Sequence, residues 1–375
     1  MTVLITGATG FVGSRIAHAL LTTRDQRLVA LGRGELSELR DRVVAAIGLH
    51  GAVPSDALLR LRCVTGDVTL PRLGLPPALH ARLAGQADAV WHCAGDIALA
   101  GERERLFRVN TQGTAHVLAF MDQTGPACRL VHVSTMAVAG SRPAGLVLED
   151  DLTDVHGFVT HYDASKYAAE QLVRQWAARR ARPAVVLRPG VVASDRPLPA
   201  SAAEHPLAQL GKMVEVLAEG GAPGIPAVAE RPPGSEVRLR IKASASATFN
   251  IVPSDYATEA MVRIGYDTPS EDTGVRTYHI VHPTPTRLAD VLRAFEGHHA
   301  GLRLECVEEL DRASVAELFV ARHLTGFLSY CRLRHRFDRT HALADTPGLP
   351  EPAAVDARFL QRALGFDALP ASSPG

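Results

Sequence analysis

The sequence predicts an α/β fold, a doubly wound parallel sheet followed by a smaller C-terminal subdomain. Three observations predict it. Short apolar runs alternate with helix-like stretches through the first 190 residues, a glycine-spaced turn joins the first run to the first helix, and beyond Pro189 the alternation breaks into Pro- and Gly-rich segments. At 375 residues the chain suits one large or two intimately joined domains, and its 46% apolar residues can bury a core.

The runs are VLIT (3–6), RLVALG (27–32), LRCVTG (61–66), DAVWHC (88–93), RLVHVS (129–134) and AVVLRP (184–189). Most are apolar on both faces, as strands are when helices cover both sides of a parallel sheet. Between them, SRIAHALLTT (14–23), NTQGTAHVLAFMDQ (110–123) and SKYAAEQLVRQWAARRA (165–181) read as helices. Residues 195–235 set three Pro/Gly-rich pieces around one helix-like piece, QLGKMVEVLAEG, and read as loops with a candidate lid. Regular elements resume with VRLRIKA (237–243), FNIVPSDYATEAMVRIGY (249–266) and TYHIVHP (277–283), and the tail reads as one short helix between flexible ends. The expected division is a sheet domain of residues 1–194, rejoined by 248–265, with 195–247 and 266–375 forming the second subdomain.

Charge narrows the function. Lys+Arg and Asp+Glu both count 40, so no net charge draws the chain to nucleic acid or an anionic membrane. No apolar run approaches the ~18 residues of a membrane span. A strand-like VLI follows Met1 within two residues, leaving no room for a signal peptide, and a cytoplasmic protein is expected. The five cysteines are scattered, odd in number and without a C-x-x-C pair, which argues against a disulfide framework or structural zinc. Of the sixteen histidines, His279 and His282 face opposite sides of a strand and His298/His299 stand as a bare pair, so no metal is expected.

The turn Thr6-Gly7-Ala8-Thr9-Gly10-Phe11-Val12-Gly13 carries the first chemistry. Gly7 and Gly10 let the backbone turn tightly and approach a pyrophosphate, whose charge suits the helix N-terminus; Gly13 lets that helix pack on the strand. This makes the sheet domain Rossmann-type. The spacing is G-x-x-G-x-x-G rather than the more usual G-x-G-x-x-G. The second run ends at Gly32-Arg33, with Arg15 on the facing helix and Glu35 two residues beyond. An acidic residue at that end would suit the ribose 2′-hydroxyl of NAD, whereas Arg33 suits the 2′-phosphate, so NADP(H) is expected ahead of NAD(H).

Tyr162 and Lys166 lie four apart at the start of a helix, stacked on one face. A reductase needs such a pair: a phenol to protonate the alkoxide and a cation to lower its pKa from roughly 10. Ser134 and Thr135, ending the fifth run, offer a hydroxyl for the substrate oxygen. His161 beside Tyr162 would tune the site or serve structure.

With these residues in place, the sequence resembles an extended short-chain dehydrogenase/reductase, through TGATGFVG, NTQGT (110–114), YDASK and VLRPG (186–190). Within that family it is most similar to the thioester-reductase and fatty-acyl-reductase branch, through GDVTLPRLGL (66–75), HVSTMAV (132–138), NIVPSDYATEAM (250–261) and RFDRTHALA (336–344). The resemblance implies that Gly7, Gly10 and Gly13 cradle the pyrophosphate with Thr9, Phe11 and Val12 of the same turn. It implies that Asp67 contacts adenine with Val68 beside it, that Ala94 and Gly95 line the path to the nicotinamide ribose, and that Pro189 borders the cofactor. Thr135, five residues before Gly140, matches the substrate-oxygen donor, with Ser134 as fallback. Tyr162 becomes the general acid, Lys166 its ribose-binding partner, and Asn110 a structural brace near Lys166.

The expected function is an NADPH-dependent carbonyl reductase acting on an acyl thioester bound to a carrier protein or coenzyme A. Two other readings stay open: a ketoreductase of a free polyketide-like metabolite, and a non-catalytic NADP-binding sensor. No carrier or adenylating domain precedes the reductase, so a free-standing enzyme is expected. Arg238, Arg240 and Lys242 form one cationic strand face, and Arg332, Arg334, Arg336 and Arg339 a second cluster. Either would meet an acidic carrier, although such runs are more often solvated faces. Tyr167, Leu172, Val173 and Trp176 would serve a homodimer contact or the core.

Overall fold

The computed structural model describes residues 1–197, 199, 202–220, 234–267 and 274–366. Its strands are β1 (Thr2–Thr6), β2 (Arg27–Gly32), β3 (Leu61–Thr65), β4 (Ala89–His92), β5 (Arg129–Val133), β6 (Ala144–Val147), β7 (Pro183–Pro189) and β8 (Val191–Ala193). There follow β9 (Val237–Lys242), β10 (Thr248–Phe249), β11 (Ile251–Pro253), β12 (Gly274–Ile280), β13 (Thr286–Arg287), β14 (Leu302–Val307) and β15 (Arg334–Phe337). The helices are α1 (Phe11–Thr23), α2 (Leu36–Gly48), α3 (Ser55–Leu59), α4 (Pro77–Gln86), α5 (Arg103–Leu106), α6 (Gly113–Met121) and α7 (His161–Arg180). Then come α8 (Pro206–Gly220), α9 (Ser254–Val262), α10 (Leu288–His298), α11 (Val315–His323), α12 (Thr325–Leu328), α13 (Thr340–Asp345) and α14 (Ala357–Ala363).

Seven parallel strands form the central sheet in the order β12-β7-β5-β4-β1-β2-β3. All six expected runs are in it. Their two-faced apolar character is explained by the two layers that cover them. Val3 and Ile5 of β1 join a core with Ile16 and Leu20 of α1, Val43 of α2 and Met261 of α9. Leu4, between them, joins the opposite core with Leu83 of α4, Phe120 of α6 and Trp176 of α7.

The expected boundary at residue 266 is corrected here. β12 pairs with β7 from Gly274↔Pro183 to Ile280↔Pro189 and completes the sheet edge. Tyr278 and Ile280 belong to the sheet core, together with Ala342 of α13. The reason is tertiary: the ladder to β7 and the packing of Tyr278 and Ile280 against the sheet core place β12 there, a pairing its own sequence does not announce. A separate apolar core defines the second subdomain. It gathers Leu210 of α8, Leu239 and Ile241 of β9, Phe295 of α10, Leu302 of β14 and Leu360 of α14. The helix-like piece of 195–235 is α8; of that segment, expected as loops with a candidate lid, residues 198, 200, 201 and 221–233 lie outside the described residues. The tail helix is α14, and residues 367–375 likewise lie outside them.

At the heart of the sheet domain Glu170 of α7 is fully buried against fully buried Arg188 of β7. Arg188 donates to both carboxylate oxygens at 2.6 and 3.0 Å, Arg174 adds a contact at 3.0 Å and Ser134 Oγ one at 2.9 Å. These partners outweigh the penalty of burial and hold the Glu170 carboxyl below its usual range. Glu170→Gln leaves the Arg188 charge without its counterion, and a loss of about 3–5 kcal/mol is expected. Urea unfolding checks this, and an unmoved midpoint would contradict it.

Candidate active site

Strand order reverses direction between β1 and β4, the place where an open α/β sheet leaves a crevice beyond its strand ends. The glycine turn sits there. Gly7 has φ +76°, and a Cβ on it would lie 2.7 Å from the Ala94 nitrogen; a Cβ on Gly13 would lie 2.1 Å from the Gly7 oxygen. Both positions therefore require glycine. Gly10 is the N-cap of α1, and no side chain caps that helix. A crevice bordered by the α1 N-terminus, with Thr9, Phe11 and Val12 around it, fits the pyrophosphate of a dinucleotide.

The other expected cofactor residues cluster at the same strand ends. Ala94 N–H donates to Thr6 Oγ1 (3.2 Å), and exposed Gly95 follows it. Asp67 follows β3, its carboxylate accepting from the Thr69 amide and hydroxyl at 2.8 Å each. Val68 is buried, and its carbonyl meets His116 Nδ1 at 2.8 Å. Pro189 ends β7, held by the ladder to Ile280. Arg33 is exposed at the end of β2. Arg15 is folded onto its own helix instead of joining Arg33: it donates to the Phe11 carbonyl (3.0 Å) and lies 3.7 Å over the Phe11 ring. Arg42 of α2, which the sequence reading missed, donates to the Arg33 carbonyl and brings a second guanidinium there. Its signal was an Arg nearly two helix turns into α2.

Next in the chain comes the hydroxyl strand end. Successive residues point to opposite sides, so Ser134 and Thr135 cannot share a task. Ser134 is turned into the Glu170 ion pair, whereas Thr135 Oγ1 accepts from the Ala137 amide (3.2 Å) and its hydroxyl is near enough to favour ionisation of the Tyr162 phenol. Of the two expected donors, the structure brings only Thr135 to Tyr162. Thr160 and Asp163 form a capping box that starts α7 at His161, which places Tyr162 in its first turn. His161 is exposed.

Lys166 is buried one turn on, with Nζ donating to the Val133 carbonyl at 2.7 Å. Burial pulls its ammonium down to about 8, against the opposing pull of Glu170. Contrary to the expected lowering by Lys166, Tyr162 is pushed above the ordinary phenol range by burial, which outweighs the opposing Thr135 hydroxyl and is reinforced by the Asp163 charge. Asn110 braces the helix as expected, donating to Ser165 Oγ (2.9 Å) while its Oδ1 accepts from the Asp96 amide (2.8 Å).

Tyr330 is a second residue the sequence did not flag. It comes from the far subdomain, two residues past α12, and its hydroxyl donates to Asp163 Oδ1 at 2.5 Å. It also lies 3.2 Å from Thr160 Oγ1. No local pattern announces a partner 167 positions away.

The side features fall elsewhere. Arg240 pairs with Glu317 (2.7 Å), Lys242 with Glu309 (2.5 Å) and Arg339 with Glu351 (2.9 Å). Arg240, Lys242 and Arg339 are thus each paired with a carboxylate, while Arg334 and Arg336 are exposed. Tyr167, Val173 and Trp176 are buried within the chain, so the helix face considered for a dimer is core. His298 and His299 do meet a third ligand-type residue, Glu215, at 2.8 and 3.5 Å, with Phe366 stacked 4.2 Å from His298. Among the described residues no helix is long and apolar enough to cross a membrane.

Residues 5–261 match the NAD-binding family described as "Male sterility protein". The chain belongs to this family. It is an extended short-chain dehydrogenase/reductase and an NAD(P)-dependent oxidoreductase. An isonitrile lipopeptide synthase of Streptomyces coeruleorubidus is 36% identical over 193 residues, 50% of this chain and 13% of the relative. The L-2-aminoadipate reductase large subunit of Penicillium chrysogenum is 26% identical over 312 residues, 79% of this chain and 20% of the relative. This chain thus spans a fifth or less of the length of these relatives. Among solved structures, the terminal R domain of the myxalamid PKS-NRPS pathway superposes with TM-score 0.75 at 23% identity, covering 97% of this chain and 90% of that one. A thiolation-reductase di-domain from an archaeal non-ribosomal peptide synthetase gives 0.70 at 19% identity, covering 97% and 74%. Both establish the fold.

Asp163 generates a stability prediction. Burial pushes its carboxyl from 3.8 up to about 6, so between those values the folded state holds a proton that the unfolded chain has lost. Its contribution is therefore full below about pH 4 and is lost as pH rises through 6. Asp163→Asn should gain stability relative to the parent as pH goes from 4 to 7. Paired urea midpoints test this, and a constant difference would refute it.

Proposed function

We propose that the chain reduces an acyl thioester, held on a carrier protein or coenzyme A, with NADPH. The observation that carries this reading is the grouping of the Thr135 hydroxyl, the Tyr162 phenol and buried Lys166 at the strand ends where the glycine turn follows β1. The family and the reductases and synthetases among its relatives support the thioester.

Gly7, Gly10 and Gly13 would hold the cofactor's pyrophosphate, and Lys166 its nicotinamide ribose; the cofactor, when bound, supplies the hydride. Thr135 and Tyr162 hold the substrate carbonyl oxygen between their hydroxyls, which fixes the carbonyl carbon for attack. A phenol is protonated at neutral pH, the state a proton donor needs, and burial holds the Tyr162 proton more tightly still. As charge develops on the oxygen, the phenol gives up its proton, and the neighbouring Lys166 cation stabilises the phenolate left behind. With a thioester the product of this transfer is a hemithioacetal, which expels its thiol to leave an aldehyde.

The phenol-to-oxygen proton transfer makes Tyr162→Phe the decisive variant. It should bind NADPH as the parent does and lose turnover of acyl-pantetheine thioesters by about 10²–10⁴-fold. NADPH consumption measures this, and a variant as active as the parent would remove Tyr162 from its role. Ketone turnover without thioester turnover would favour the ketoreductase reading instead. In the parent, kcat/KM should decline above pH about 8, because the active form carries the Lys166 proton and that proton is lost above this pH.

Arg33 and Arg42 at the end of β2 support NADPH, since two guanidiniums suit a 2′-phosphate. Replacing both with Ala should lower the affinity ratio of NADPH to NADH by at least tenfold in fluorescence titrations. An unchanged ratio would rule both residues out of cofactor choice.

A further inference from the structure

In the sequence His298 and His299 stand as a bare pair; the fold brings Glu215 of α8 to them. Both Nε2 atoms close on a single carboxylate oxygen, His298 at 2.8 Å and His299 at 3.5 Å from Glu215 Oε1. The three ligand atoms lie within 4.8 Å of one another, the one such group of His, Cys, Asp and Glu side chains among the described residues. Adjacent residues of a continuing helix point about 100° apart. Here α10 ends at His298, and His299 turns extended at φ −99°, ψ 95°, which lets the two rings converge. The rings stand 80° to each other with centroids 4.7 Å apart.

A hydrogen-bonded ion pair does not account for this arrangement. Glu215 Oε1 is buried and accepts no hydrogen bond among the described residues, in spite of the 2.8 Å approach of His298 Nε2. Nitrogen and oxygen therefore meet off the N–H axis, as two ligands of one ion do. Donor atoms around a tetrahedral zinc lie ~3.4 Å from one another, and the two observed separations straddle that value. The rings are also held in place. Phe366 lies flat on His298 (4.2 Å, 3°) and edge-on to His299 (5.7 Å), and Phe295 of α10 packs against Phe366 at 5.4 Å. Their orientation is thus set before an ion arrives. His299 is buried, Glu215 half-buried and His298 exposed, so an ion has an entry from solvent and its remaining coordination falls to water.

We propose that Glu215, His298 and His299 bind a divalent transition ion of the zinc class, which pins α8 to the end of α10. Two imidazoles with one carboxylate favour such an ion over magnesium or calcium, whose shells are built from oxygen. The ion binds the folded subdomain and not the unfolded chain, so it stabilises this core by mass action. Its ligands come from the second subdomain, and its detection needs no turnover.

The test is calorimetric titration of chelator-treated protein with zinc chloride, followed by thermal unfolding. The parent should take up one equivalent with a Kd of about 10 µM or lower. Zinc at a hundredfold excess over Kd should raise Tm by about 3 °C, and magnesium at the same concentration should not. His298→Phe keeps a ring stacked on Phe366 at an exposed position and removes only the donor nitrogen; Glu215→Gln removes the charge. Each should weaken zinc binding at least tenfold and abolish the zinc-dependent rise in Tm. Cobalt gives a second signature: the visible absorption of a nitrogen-ligated ion in the parent, absent from His298→Phe. No zinc uptake by the parent would overturn the proposal. So would uptake of equal affinity in both variants, which would put the ion on other histidines, or an equal response to magnesium.

Discussion

Everything about the reaction centre hangs on one buried carboxylate. Glu170 has no water to turn to, so its charge is tolerable only while Arg188, Arg174 and Ser134 all remain in place. Those partners belong to β7, to the next turn of α7 and to the end of β5. A rotation or slide of α7 would strand a charge, and so the helix is fixed against the sheet. Tyr162 stands eight residues upstream on that helix, about 12 Å along its axis. The same interaction settles the strand end: with Ser134 committed to Glu170, Thr135 must face the other way, toward the phenol.

How much of this was legible in sequence depends on how far apart the partners lie. Strands covered on both faces announce themselves by local composition, so the six runs before Pro189 were readable. The glycine turn was readable because its demands are also local, a positive φ at Gly7 and close packing at Gly13. Thr135 could be preferred over Ser134 only through its spacing to Gly140; the physical reason, a carboxylate 36 residues away, was hidden. β12 was recognisable as a strand, but nothing local says which sheet it joins. The alternating cations of β9 looked like a docking face because Glu317 and Glu309 reach them from distant parts of the chain.

The two cores are joined at the place where chemistry needs them joined. Asp163 closes the capping box of α7 and also accepts from Tyr330, so the first turn of the catalytic helix is shared between the sheet domain and the second subdomain. A residue that starts a helix thereby reports on the packing of a separate hydrophobic core. This explains why Asp163 tolerates burial: its oxygens are occupied by Thr160 and Tyr330, although desolvation still raises its affinity for a proton.

The late return of β12 to the sheet also bears on how the chain folds during synthesis. The first 189 residues contain six of the seven central strands, yet the edge of β7 stays bare until Ile280 has left the ribosome. For the time taken to make some ninety residues, a flat Val-rich edge is open to pairing with another chain. A product truncated before Gly274 would keep that edge permanently, and its expected fate is aggregation rather than a smaller working enzyme.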